Sequence, residues 1–84
     1  MNPRVTIITP VLGDADALRA LLQQFPVTPD LAILVVDGGM DPQIEVIVKA
    51  HDGSSVRRSP PGRAIQMNAG AAGATSEWLL FLHA

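Results

Sequence analysis

Four short apolar runs alternate along the chain with three segments of helical spacing. Arg4 to Thr9 (Arg-Val-Thr-Ile-Ile-Thr) is dense in β-branched residues and stops at Pro10, which predicts a strand. Asp14 or Asp16 then offers an N-cap. Leu18, Leu21, Leu22 and Phe25 follow at i, i+3, i+4 and i+7, the stripe of an amphipathic helix that Pro26 and Pro29 end. Leu31 to Val36 is apolar without alternation, as a strand covered on both faces requires, and it breaks at Asp37-Gly38-Gly39. Asp41-Pro42 is a helix start, with Ile44, Ile47 and Val48 facing one way and an end near His51-Asp52-Gly53. Val56 to Ser59 is a short third strand, stopped by Pro60-Pro61-Gly62. Arg63 to Ala74 is a third helix, with Ile65, Asn68, Ala69 and Ala72 expected on its packed side and enough small residues to approach a sheet closely. Glu77 to His83 is a final strand with a wholly apolar centre, Leu79 to Leu82.

The order β-α-β-α-β-α-β is that of an α/β, Rossmann-like parallel sheet with crossover helices. Right-handed crossovers put the first two helices on one face. A strand order of 3-2-1-4 is expected, and it sends the third helix to the other face. Ligands of open α/β sheets bind outside the carboxyl ends of the strands at the point where the order reverses, here between strands one and four. The polar groups of interest all follow strands. Pro10 to Asp14, Asp37-Gly38-Gly39, Gly62-Arg63 and His83 are therefore expected on one rim.

Composition narrows the classes. The 84 residues make one domain or part of one, and 48% hydrophobic content with a mean hydropathy of +0.28 favours collapse around a core over disorder. Six Lys and Arg against eight Asp and Glu leave −2, which excludes nucleic-acid binding by bulk charge. Half of the cations, Arg57, Arg58 and Arg63, lie close together, so a local anion site stays open. The chain has no cysteine, which removes disulfides, thiolate metal sites and thiol nucleophiles at once. No apolar run approaches the ~18 residues of a membrane span, and no signal-peptide pattern is present. A cytoplasmic location, including the cytosolic face of a membrane, is expected.

Each candidate residue has two readings. Asp37-Gly38-Gly39 can present a carboxylate to a base or ribose hydroxyl, or it is an ordinary strand-to-helix turn. Arg63 opens a helix and can share an anion or nucleobase with the free N–H groups there, or it is a solvated surface arginine. Arg57 and Arg58 alternate across a short strand and read as solvated or edge-protecting. Asn68 is a helix-to-loop tie or a ligand contact. Met67, Trp78 and Phe81 read as packing residues. His83 reads as rim packing more simply than as a metal ligand or base. Gly70-Ala-Ala-Gly73 lies inside a helix and lacks the Lys-Ser/Thr of a phosphate loop.

Val5-Thr-Ile-Ile-Thr-Pro-Val-Leu12, Ile33-Leu-Val-Val-Asp-Gly-Gly39, Gly62-Arg-Ala-Ile-Gln-Met-Asn-Ala-Gly-Ala71 and Trp78-Leu-Leu-Phe-Leu-His-Ala84, in that order and spacing, resemble the N-terminal half of a family 2 glycosyltransferase of GT-A fold. The third and last blocks look like a bacterial subgroup. The resemblance covers nearly the whole chain and implies that residues 1–84 are the nucleotide-sugar-binding part of a truncated GT-A domain. It implies that Pro10, Val11, Leu12 and Asp14 wall a nucleotide pocket, that Asp37 with Gly38 contacts the uracil or ribose, that Arg63 reaches the base and that Asn68 supports the site. It further implies a nucleoside diphosphate sugar, UDP-linked, as donor and a divalent cation, Mn or Mg, that stabilises the leaving diphosphate.

Three departures from the family pattern stand out. Gly13-Asp14 replaces an Asn-Glu pair, Met40 replaces a serine, and the chain ends at Ala84 where a metal-binding acid is expected next. No catalytic residue and no metal ligand is therefore expected within the chain, which is expected to be inactive alone. A noncatalytic α/β module that binds a nucleotide or a partner through the same rim is the alternative, and an inert remnant is a third. Self-association through the open edge of the last strand is expected as well.

Overall fold

The computed structural model describes residues 3–83. The strands are β1 (Val5–Val11), β2 (Leu31–Asp37), β3 (Ser54–Arg58) and β4 (Trp78–Phe81). The helices between them are α1 (Ala15–Leu22), α2 (Gln43–Lys49) and α3 (Arg63–Gly73). All strands are parallel, in the order β3-β2-β1-β4, as the pattern predicted.

β1 runs two residues further than expected, straight through Pro10, and the register explains why. Trp78 and Leu82 donate their N–H groups to the Arg4 and Ile8 carbonyls, so the even-numbered residues of β1 turn their backbone groups toward β4. Pro10 shares that side, but the pairing with β4 has already ended at Ile8 and Phe81. Its missing N–H therefore breaks no ladder bond. β3 begins two residues earlier than expected and ends at Arg58, and β4 spans only Trp78–Phe81 of the expected Glu77 to His83, with Leu82 giving the last bond to β1.

α1 and α2 cover one face. Ile7, Val11, Ile33 and Val35 of the sheet pack against Leu18 and Leu22 of α1 and Ile44, Ile47 and Val48 of α2. Burying each such side chain fully is worth about 1.5–3 kcal/mol, so this layer carries most of the apolar stabilisation. Phe25 lies beyond the last residue of α1 but still packs on the layer, as does Leu82. Asp14 stands at the N-cap of α1 without a side-chain capping bond. Asp41 does cap α2, its Oδ1 accepting the Gln43 N–H at 2.9 Å.

α3 crosses the opposite face with a different phase from the one its hydropathy suggests. Gln66 and Gly70 are its buried residues, while Ile65 and Asn68 are exposed. Gly70 sets this phase. A Cβ built there would lie 2.5 Å from Ile8 Cγ2 and 3.0 Å from Val36 Cγ2, so the helix sits lower on the sheet than any residue with a side chain would allow. The expectation that α3 packs closely through small residues is met. The expectation that Ile65 and Asn68 face inward is corrected.

β4 is an edge strand. Trp78, Leu79, Leu80 and Phe81 are 64%, 39%, 47% and 42% exposed, so a wholly apolar strand is the least covered one.

A candidate nucleotide cleft at the switch point

The strand order reverses between β1 and β4, and a cleft of about 290 Å³ lies there at the carboxyl ends of the strands. Pro10, Val11 and Leu12 from the end of β1 form one wall, and Asp14 from the following loop joins them. Gly62, Arg63 and Gln66 from the start of α3 form the other, and His83 just past β4 closes the rim. Gly62 has φ 134°, a conformation open to glycine, and there the chain turns from Pro60-Pro61 into α3.

Arg63 is the first residue of α3 and is exposed at the cleft. It has no salt-bridge partner among the described residues. As the first residue of α3 it shares the cleft with a helix N-terminus, whose first-turn N–H groups lack intrahelical partners, a combination suited to an anion. Asp14 and His83 add one carboxylate and one imidazole to the rim.

Gln66 is the residue that sequence reasoning missed. It is 3% exposed, and its Nε2 donates to the Val11 carbonyl at 2.9 Å and to the Val36 carbonyl at 2.8 Å. Its Oε1 accepts the Gly62 N–H at 3.2 Å, while its own N–H donates to the Gly62 carbonyl at 2.8 Å. One side chain therefore ties together the ends of β1 and β2 and the start of α3. The available signal was the four-residue spacing to Gly70, which puts both on one helical face.

Asp37 and Gly38 do not line the cleft. Gly38 lies behind it, with a built Cβ only 2.8 Å from Gln66 Cδ. Asp37 is 1% exposed; its Oδ1 accepts the Gly39 N–H at 2.8 Å, and its Oδ2 is 3.7 Å from the Arg58 guanidinium. That Oδ2 is buried without a hydrogen-bond partner, as is Thr9 Oγ1. Arg58 also donates to Glu45 on α2 at 3.1 Å, so it bridges β2, β3 and α2 instead of being simply solvated. Arg57 lies across the other face and donates to the Ala69 carbonyl of α3 at 3.1 Å. Asn68, exposed on the outer side of α3, is likewise outside the cleft. The expected single rim is thus divided. The ends of β1 and β4 meet the start of α3, and the Asp37-Gly38-Gly39 turn backs them from behind.

Among the described residues no three His, Asp or Glu side chains are grouped to hold a metal ion, and no helix is long and apolar enough to cross a membrane. No curated protein matches the sequence. The sequence model of glycosyl transferase family 2 matches residues 6–84, a span that takes in the cleft and every element that builds it. With that match on a four-stranded parallel α/β sheet, the chain belongs to glycosyl transferase family 2.

Proposed function

We propose that the cleft between β1, β4 and α3 binds a nucleoside diphosphate sugar, and that the chain is the donor-binding part of a GT-A glycosyltransferase of bacterial type. Family membership supports glycosyl transfer as the chemistry. The observation that carries the finer reading is the placement of Arg63, an unpaired cation on the first turn of α3, in a cleft at the switch point of the sheet. Charge-assisted hydrogen bonds from its guanidinium and from the helix N–H groups suit a nucleotide with an anionic tail. UDP is the nucleotide proposed.

Asp37 has a second part in this reading. One of its carboxylate oxygens has no hydrogen-bond partner, and a uracil N–H or a ribose hydroxyl is the kind of group that would satisfy it. That oxygen is buried and lies 3.7 Å from the Arg58 guanidinium, so a ligand reaches it only if its surroundings shift. The described residues do not by themselves fit a divalent cation, since Asp14 is the one carboxylate on the cleft wall.

Titration calorimetry with UDP tests the proposal. Arg63→Ala and Asp37→Ala are each expected to weaken binding by roughly 1–3 kcal/mol, the scale of a lost hydrogen bond to a charged group. Wild-type affinity in both variants would remove the site assignment.

A further inference from the structure

The geometry points to Gln66 as a positioning residue that aims Arg63 into the cleft without itself contacting the ligand. This inference deepens the nucleotide-sugar reading and rests on it. Gln66 is almost fully buried, and both Nε2 hydrogens are committed to the Val11 and Val36 carbonyls while Oε1 holds the Gly62 N–H. The reversed amide would set an oxygen against two carbonyl oxygens, so the chemistry of the partners fixes the orientation. Little hydrogen-bonding capacity remains for a ligand.

The same three bonds determine where α3 begins. Gly62 is the N-cap, and it is held reciprocally, its N–H by the Gln66 side chain and its carbonyl by the Gln66 N–H. Arg63 follows directly, so the direction of its guanidinium and of the first-turn N–H groups depends on this latch. Gly38 supports it from behind. A Cβ there would meet Gln66 Cδ, Oε1 and Nε2 at 2.8, 2.9 and 3.0 Å, although the Gly38 backbone is not in the left-handed region. An alanine at 38 would thus have to push the amide of Gln66 out of its place, and its own φ would not oppose it.

A double-mutant cycle on the whole chain, read by UDP calorimetry, tests the proposal. Gln66→Met keeps the shape of the side chain and removes all three bonds, and it is expected to weaken UDP binding about tenfold. In an Arg63→Ala background the same change is expected to cost less than about twofold, because its effect runs through Arg63. A second full tenfold loss in that background would overturn the proposal, as would wild-type affinity in Gln66→Met. If Gln66→Met does not fold by circular dichroism, Gly38→Ala takes its place in the cycle with the same expected values. Amide exchange at Gly62 reads the latch without any ligand, and loss of its protection in Gln66→Met is expected. An unprotected Gly62 N–H in the wild type would overturn the latch whatever UDP does. Absence of UDP binding by the wild type with Gly62 protected would instead strike at the nucleotide reading and remove the ligand-aiming role with it.

Discussion

Beneath α1 and α2 the sheet presents Ile7, Val11, Ile33 and Val35 to a layer of Leu, Ile and Val, whereas beneath α3 it meets the bare Cα of Gly70 and the amide of Gln66. The first face is held by area. Apolar burial is nondirectional, so the layer tolerates small shifts of either helix while the total volume is kept. The second face is held by direction and fit. Hydrogen bonds to two strand ends, a steric floor at Gly70 and the Arg57 bond to the Ala69 carbonyl leave α3 little freedom to slide. The cleft lies on this second side. A binding site needs its donors held to fractions of an ångström, and directed contacts supply that where a layer of aliphatic side chains does not.

The comparison breaks most visibly where area is removed. Ile44→Ala, at a fully buried position under α2, is expected to cost about 2–5 kcal/mol in urea unfolding. That is a large share of the roughly 4–13 kcal/mol expected for a domain of this size. A cost below about 1 kcal/mol would mean that the layer re-forms without it, and area would no longer account for that face.

Gly70→Ala tests the opposite face and has the sharper sign. Alanine in place of a helical glycine ordinarily gains about 1 kcal/mol from propensity. Here the added methyl meets Ile8 at 2.5 Å, with sheet side chains behind it and no room to turn away. Overpacking of about 1–3 kcal/mol is expected to win, so thermal denaturation should show net destabilisation. A higher melting temperature would show that α3 can rise off the sheet, and the claim of a steric floor would be lost.

Arg58→Met probes the polar clamp at the margin of the apolar face. Arg58 is about half exposed and its nearest approach to Asp37 is 3.7 Å, so solvent screens much of the attraction. A loss of about 1 kcal/mol or less is expected, shrinking as salt is raised. A salt-independent loss of roughly 3 kcal/mol would place the pair among buried ion pairs and make that face depend on direction too.

A similarly small effect on stability is expected at the uncovered edge. Leu79→Lys gives up only the partial cover of a 39% exposed side chain and should change unfolding free energy by about 1 kcal/mol or less. Its effect should appear instead in sedimentation velocity, because a lysine on an exposed strand edge opposes pairing with another chain. Concentration-dependent association of the wild type that persists in this variant would place the contact elsewhere.

Much of this was legible in the residues. A β-branched run marked β1 and unbroken apolar runs marked β2 and β4, and the Leu18-Leu22 and Ile44-Ile47-Val48 spacings marked the buried sides of α1 and α2, because those two helices pack through their largest apolar side chains. α3 was misread in phase for the complementary reason. Its inward stripe is glycine and glutamine, which hydropathy ranks below Ile65, and the decisive contact is made by an atom that glycine lacks. The cleft was half legible. Pro10 to Asp14, Gly62-Arg63 and His83 could be placed from their positions after strands, but the inward side of Asp37 and the reach of Gln66 depend on register across three elements.

Local chemistry thus determined the elements, their order and the rim on which polar residues would gather, since strand and helix periodicity, turn residues and right-handed crossovers act over short stretches of chain. Only the tertiary structure decided which polar residues reach solvent in the cleft and which are spent on holding it. That choice separates Arg63 from Asp37 and gives Gln66 its place. It depends on how closely α3 can approach β1 and β2, a distance set at Gly70 by side chains from strands more than thirty positions away in sequence.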